Sequence, residues 1–226
     1  RHWNPGMTLA IFDLDHTLLN GDSDYLWGEY MVETGIVNEQ EYRGRNDDFY
    51  RDYQRGTLDS DRYLEFALEP LTHFTIAELH AWREDYVETW IKPIIAPGAP
   101  ELLDSHRSRG HELLIISATN RFVTEPIARI LGVPTVLATE PEIIDNRYTG
   151  RFLGTPTYQE GKVTVLKEWL SDSHHDLDGS YFYSDSINDI SLLELVDIPV
   201  AVNPDEELKA IAQARRSEER RVGKEC

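Results

Sequence analysis

Leu9-Ala10-Ile11-Phe12-Asp13-Leu14-Asp15-His16-Thr17-Leu18-Leu19 joins a short apolar run to two aspartates in alternate positions and a threonine. Four consecutive apolar residues bounded by polar ones predict a strand buried on both faces, as in a parallel sheet. Two carboxylates at the carboxyl end of such a strand are costly unless a charge compensates them. A hard divalent cation is the natural compensation, because it prefers carboxylate and carbonyl oxygens. One aspartate can then act as a nucleophile while the other moves protons. The stretch reads as an active site.

Beyond position 100 the chain alternates strand and helix patterns. The run Leu113-Leu114-Ile115-Ile116 within 112–118 predicts a second buried strand, 135–138 a third, 181–184 a fourth ending at Asp185, and 199–202 a fifth. Helical spacing covers 124–131 with Gly132 as its stop, 162–170, the stretch after Asp185 through Leu195, and 204–214 with Pro204 at its start. Residues 140–158 hold Asn146, Gly150, Gly154 and Pro156 and read as a turn-rich hairpin or loop insertion. The alternation predicts an α/β fold, a Rossmann-like doubly wound parallel sheet with ligands at the carboxyl ends of its strands.

Residues 22–95 differ. They are rich in Tyr, Trp, Asp, Glu and Arg and carry helical spacings such as Tyr63, Phe66, Ala67 and Leu79, Trp82, Tyr86, Trp90. They predict a helical cap domain inserted after the first strand, leaving 7–21 and 96–215 as the core domain, with Pro93, Pro97 and Pro100 marking the return.

The chain has 226 residues and a formal net charge of −19, which argues against nucleic acid and anionic membrane surfaces as partners. A protein this acidic that handles phosphate must neutralise charge locally, which again points to a metal and a placed lysine. No stretch approaches the roughly 18 apolar residues of a membrane span, and no secretory pattern precedes Met7. A soluble cytoplasmic protein, monomer or homodimer, is expected. Residues 1–6 read as translated upstream sequence and 216–226 as translated sequencing-adapter read-through, both non-native. The sole cysteine, Cys226, lies in the latter, so neither disulfides nor thiol catalysis are expected.

Three further features fall at predicted strand ends or helix starts. Ser117 ends the second strand and is followed by Thr119 and Asn120; Gly161-Lys162 opens a helix; Asp185, Asn188 and Asp189 follow the fourth strand. Singly, each has a plain structural reading: a turn or helix cap, a solvated lysine, carboxylates charging a helix start. Together, in this order, they form a constellation. It resembles the four motifs of the haloacid dehalogenase superfamily, in the phosphoserine-phosphatase-like branch (subfamily IB) with a helical cap after the first motif. Ser117-Ala118-Thr119-Asn120-Arg121-Phe122-Val123-Thr124-Glu125-Pro126-Ile127-Ala128 is similar to the second-motif region of that branch, with Ala118-Thr119 where phosphoserine phosphatases usually have Gly-Gly. Gly21-Asp22-Ser23-Asp24-Tyr25 departs from those enzymes and is similar to bacterial histidinol-phosphate phosphatases.

The resemblance implies a magnesium-dependent phosphomonoester hydrolase acting on a small phosphorylated metabolite. Asp13 would be the nucleophile that forms an aspartyl-phosphate, and Asp15 the acid and base. Magnesium would be held by Asp13, the Asp15 backbone carbonyl and Asp185, with Asp189 direct or through water. Ser117 and Lys162, with Thr119, Asn120 and Asn188, would bind the phosphoryl group, and Thr17 would orient Asp13. Asp22, Asp24, Tyr25, Trp27 and Glu29 are candidates to receive a cationic, partly aromatic leaving group. Histidinol phosphate, of histidine biosynthesis, has an amine and an imidazole that suit them. Phosphoserine would instead need a cap arginine, for which Arg43, Arg45, Arg51 and Arg55 are available. A broad-specificity phosphatase and a catalytically silent binding protein are the alternatives. Lys162→Ala is expected to lower turnover far more than thermal stability.

Overall fold

The computed structural model describes residues 7–222, with side chains through residue 215. Strand β1 is Leu9–Phe12. A layer of four helices follows: α1 (Ser23–Glu33), α2 (Glu39–Arg55), α3 (Ser60–Leu68) and α4 (Ile76–Tyr86). A single 3₁₀ turn, Glu69–His73, links the last two, and a π-helical turn, Val87–Ile91, prolongs α4. Local chemistry sets these boundaries. Asp22, Asn38, Asp59 and Thr75 each cap a helix start with a side-chain oxygen, and Thr75 with Glu78 closes a capping box. Entry and exit of the helical layer lie side by side, since Asn20 N–H donates to Ile94 O at 2.7 Å and Ala96 N–H to Leu18 O at 2.9 Å.

The remainder alternates as expected: α5 (Ala99–Ser108), β2 (Glu112–Ile116), α6 (Arg121–Ile130), β3 (Thr135–Leu137), the hairpin β4 (Glu140–Ile144) and β5 (Arg147–Leu153), α7 (Glu160–Ser173), β6 (Tyr181–Ser184), α8 (Ile190–Leu195), β7 (Ile198–Ala201) and α9 (Glu206–Val222). Five strands form one parallel sheet in the order β3-β2-β1-β6-β7. The 140–158 insertion is an antiparallel hairpin whose two-residue turn, Asp145-Asn146, has φ of 50° and 58°. Both values lie in the left-handed region that a tight hairpin turn demands and that Asp and Asn tolerate.

Helix α6 starts at Arg121, ahead of the expected 124, because the Asn120 side chain caps it by accepting from Phe122 N–H at 3.0 Å. Helix α9 starts at Glu206, with Asp205 accepting from Leu208 N–H at 2.9 Å, and its backbone continues past 214 to Val222. The stretch 216–226 read as non-native therefore overlaps this helix, while its side chains, and all of residues 1–6, lie outside the described residues.

Alternation along β1 sends side chains to both faces of the sheet. Leu9 and Ile11 pack with Leu114, Ile116 and Phe182 under Leu166 of α7, Leu192 of α8 and Leu208 of α9. Ala10 and Phe12 face the other way, into a core that runs without a break through Phe122 of α6 to Trp27, Tyr30 and Tyr86 of the helical layer. Among the described residues no helix is long and apolar enough to cross a membrane.

Candidate active site

Register brings the polar residues together. Phe12 pairs with Ile115 of β2 and with Tyr183 of β6. One step further along three parallel strands, Asp13 leaves the sheet beside the segments that lead into Ser117 and Asp185. Asp13 is held there by its own N–H, which donates to Tyr183 O at 2.9 Å. Its Oδ1 accepts from Leu14 N–H at 2.9 Å and from Lys162 Nζ at 3.2 Å. Lys162, in the first turn of α7, is 1% exposed and also lies 2.9 Å from Asp189 Oδ1. That approach requires Gly161, since a Cβ there would sit 1.9 Å from Pro156 O. The other Asp189 oxygen accepts from the Ser184 hydroxyl at 2.6 Å, so both of its oxygens are engaged by protein. Thr17 donates to Asp185 Oδ1 at 3.1 Å. Its hydroxyl therefore orients Asp185 rather than Asp13, as expected from sequence, because β6 delivers Asp185 to the loop that carries Thr17.

The electrostatics follow from burial. Burial pushes the Asp13 carboxyl well up, Lys162 pulls it down, and Asp189, Asp185 and Asp15 push it up again. Asp185 is raised chiefly by burial. Burial alone would lower Lys162, but the Asp13 and Asp189 charges carry it above its ordinary value and it stays cationic. Among the described residues Asp13 Oδ2 is the buried side-chain polar atom with no hydrogen-bond partner. An orphaned carboxylate oxygen among mutually repelling carboxylates is an arrangement that a divalent cation satisfies. No three Asp, Glu, His or Cys side chains make a ready-made cage among the described residues. Magnesium does not need one, since it binds through one or two carboxylates and keeps several waters. The residues fit such an ion: Asp13 and Asp185 would hold it with the Asp15 carbonyl, while the Asp189 oxygens are engaged by Lys162 and Ser184.

Asp15 is 6% exposed and is fixed by two donors, Ser23 N–H at 2.7 Å and the Thr119 hydroxyl at 2.7 Å. Thr119 thus orients Asp15. Ser117 is fully buried and accepts from Thr119 N–H at 3.1 Å, while its carbonyl is held by the Thr157 hydroxyl at 2.6 Å. Asn120, expected to bind phosphate, has its side-chain oxygen engaged in capping α6 and does not line the cavity. Asn188 donates to Tyr53 O at 2.9 Å and accepts from Gln159 at 3.2 Å, tying the strand ends to α2.

Above Asp15 lies a cavity between sheet and helical layer. Asp22, Asp24 and Tyr25 line it as expected. Trp27 and Glu29 do not. Trp27 is 3% exposed and packs between Tyr30, Tyr86 and Phe122, and Glu29 pairs with Arg43 at 3.1 Å. For Trp27 the reason is helical geometry: residues two apart on α1 point about 200° apart, so it cannot share a face with Tyr25, whereas Glu29, four residues from Tyr25 and on its face, is engaged by Arg43 instead. Asn46, Phe49, Tyr50 and Tyr53 of α2 line the cavity and were not anticipated. Their spacing of i, i+3, i+4, i+7 is a one-face stripe readable in the sequence. Ser60, Tyr63 and Leu64 of α3 add a second such wall. His16, left without a role, has φ of 56° and its Nε2 lies 3.3 Å from the Tyr50 hydroxyl.

Charge in the cavity is one-sided. Burial is the main force that raises Asp24 to about 7, against a hydrogen bond from Tyr63 and with help from Asp15. Burial, then Asp15 and Asp24, hold Asp22 well above its ordinary value. Burial, then the Asp13 and Asp189 charges, keep the Tyr53 phenol protonated. Among the described residues no arginine or lysine lines this cavity. Arg43 pairs with Glu29 and Glu39, Arg51 with Asp48, and Arg45 lies 4.6 Å over the Phe66 ring.

The model of the haloacid dehalogenase-like hydrolase family matches residues 10–194. A histidinol-phosphatase of Neisseria meningitidis serogroup C (strain 8013) is 44% identical over 211 residues, covering 92% of this chain and 95% of that protein. A solved structure of a protein of unknown function from Bordetella pertussis Tohama I superposes with a TM-score of 0.87 at 45% identity, over 92% of this chain and 96% of the other. A phosphoserine phosphatase, solved as a phospho-aspartyl intermediate analogue, has a TM-score of 0.65 at 20% identity, over 90% of each chain, and shares the fold.

Proposed function

The chain belongs to the haloacid dehalogenase-like hydrolases and is a phosphatase, and from that premise we propose that it hydrolyses histidinol phosphate through an aspartyl-phosphate on Asp13. The observation that carries the substrate is the wall of the cavity: three carboxylates, Asp15, Asp22 and Asp24, with tyrosines and, among the described residues, no arginine or lysine. A cationic amine and an imidazole match that wall; the carboxylate of phosphoserine does not. The name of the 44% identical relative agrees with this reading.

In the proposed reaction Asp13 attacks phosphorus in line, the ester P–O bond breaks, and Asp15 gives its proton to the leaving alcohol. Asp15 then takes a proton from a water that attacks the phosphorus, and the acyl–phosphate P–O bond breaks to release inorganic phosphate and restore Asp13. Lys162 and Ser117 balance charge on the phosphoryl oxygens. Magnesium, held by Asp13, the Asp15 carbonyl and Asp185 with Asp189 through water, would neutralise that charge further. The helical layer, 22–95, serves as the cap that excludes water from this chemistry.

A panel of phosphate esters with magnesium tests the assignment. kcat/KM for histidinol phosphate should exceed that for phosphoserine and for p-nitrophenyl phosphate by at least about 10-fold, the scale of one charge-assisted contact. EDTA should abolish all turnover. Equal values for the three esters would replace the assignment with a broad-specificity phosphatase.

Asp24 gives a second expected outcome. Its folded-state carboxyl titrates near 7, above the unfolded value of 3.8, so the native state binds a proton that the unfolded chain has lost. The corresponding stability is present at low pH and is lost as pH rises from about 4 to 7. Asp24→Asn should therefore gain in Tm over wild type at pH 8 relative to the same comparison at pH 5. Its KM for histidinol phosphate should rise about 10-fold with p-nitrophenyl phosphate nearly unaffected. The wild-type rise of kcat/KM with pH through about 7, as Asp24 ionises to meet the amine, should vanish in the variant. An unchanged KM would remove Asp24 from amine recognition.

A further inference from the structure

Tyr25, Tyr50, Tyr53, Tyr63 and Tyr158 all line the cavity. Four of their hydroxyls have protein partners. Tyr25 donates to Asp47 at 2.7 Å, Tyr50 lies 3.3 Å from His16, Tyr63 bonds Asp24, and Tyr158 donates to Asn188 at 3.4 Å. Among the described residues the Tyr53 hydroxyl makes no hydrogen bond to protein, and the charges that act on it most strongly are those of Asp13 and then Asp189. A phenol that lines the cavity together with Asp15 and Thr119 and has its donor unused is a donor waiting for an acceptor.

Its backbone, by contrast, is fastened from the sheet side. Asn188 Nδ2 donates to Tyr53 O at 2.9 Å, and Gln159 Nε2 donates to Gly56 O at 3.1 Å, with Asn188 Oδ1 and the Tyr158 hydroxyl each 3.2 Å from the same amide. Gln159 has φ of 50° and ψ of −123°, a strained conformation for a residue with a side chain. Such strain persists only where the surroundings over-determine it. It lies three residues ahead of Lys162, whose N–H donates to Gln159 O at 3.1 Å. One strained residue thus fixes both the last turn of α2 and the first turn of α7.

We propose that Tyr53 is a catalytic residue supplied by the helical layer, donating a hydrogen bond to a non-bridging oxygen of the phosphoryl group being transferred, and that Gln159 and Asn188 are positioning residues that clamp the end of α2 so that this donor arrives beside Asp13. The phenol keeps its proton throughout. The proposal rests on the reading of Asp13 as nucleophile and is independent of which alcohol leaves.

Tyr53→Phe keeps the ring and removes only the donor. Its kcat should fall about 10- to 100-fold on histidinol phosphate and on p-nitrophenyl phosphate alike. The inhibition constant of inorganic phosphate should rise about 10-fold, while that of histidinol, which lacks the phosphoryl group, stays within about twofold. Gln159→Ala should lower kcat as well, and the double variant should lose less than the product of the two single losses. Near-wild-type kcat on both esters in Tyr53→Phe overturns the proposal. So does a loss confined to KM with histidinol inhibition weakened and phosphate inhibition intact, which would make Tyr53 a wall for the alcohol. A wild type without preference for histidinol phosphate that still loses p-nitrophenyl phosphate turnover in Tyr53→Phe overturns the substrate assignment and upholds Tyr53.

Discussion

Asp13→Asn should turn over no phosphomonoester at a measurable rate while remaining fully folded. The amide keeps the shape of the carboxylate but cannot attack phosphorus, and loss of a nucleophile costs on the order of 10⁴- to 10⁶-fold in kcat. The structure adds the second half of the expectation. Asp13 sits 2% exposed among Asp15, Asp185 and Asp189, its carboxyl pushed up by burial and by those neighbours, with one oxygen unbonded. Removing that charge relieves repulsion, and Lys162 retains Asp189 at 2.9 Å as a partner. The Tm of Asp13→Asn, measured with EDTA, should therefore equal or exceed that of wild type. Residual turnover near the wild-type rate would remove Asp13 as nucleophile.

Lys162→Ala should be inactive and also markedly less stable. Sequence alone led to the expectation that turnover would suffer far more than stability, as for a lysine whose role is catalytic rather than structural. In the fold the ammonium is 1% exposed and lies between two carboxylates that are 2% exposed. Truncation leaves two buried anions without their cation, and breaking a buried pair from one side costs about 3–5 kcal/mol. A stability loss alone therefore does not reveal the role of the lysine. Lys162→Met with Asp189→Asn, compared with Asp189→Asn alone, separates the two effects, because it removes charge from both sides of the ion pair and keeps volume. That double variant should recover most of the Tm lost in Lys162→Ala, with kcat still at least about 10³-fold below wild type. Recovery of activity along with Tm would leave Lys162 a merely structural ion.

The parallel sheet was legible because its strands are short apolar runs that stop at polar residues, and a strand buried on both faces has no other signature. The same stops located Asp13, Ser117 and Asp185, since in this topology the strand end and the site coincide. Asn120 shows what a run of polar residues conceals: capping and phosphate binding ask for the same side chain at the same place, and only the hydrogen bond to Phe122 decides. Trp27 turns away from the cavity by helical phase, which the two-residue step from Tyr25 could have supplied, whereas Glu29 shares the Tyr25 face and is taken by Arg43, a pairing that no spacing announces. The stripe Asn46, Phe49, Tyr50, Tyr53 was also present but mute. A one-face stripe of aromatics reads as core until the opposite wall is known, and that wall is Asp22 and Asp24 of another helix. Gln159 carried no signal, because the partners that hold it include Gly56, 103 residues away in sequence, and Asn188, 29 residues away.

The helical layer meets the sheet layer along two seams of opposite chemistry. One is greasy: Trp27 of the helical layer packs edge-on against Phe122 of α6, both 3% exposed. Parting it would wet both rings, at about 2 kcal/mol or more apiece. The other is the amide seam of Gln159 and Asn188 against the end of α2, where water replaces each lost bond at about 1 kcal/mol. Of the two seams the amide one costs less to part, and it is the one that fastens the backbone of Tyr53.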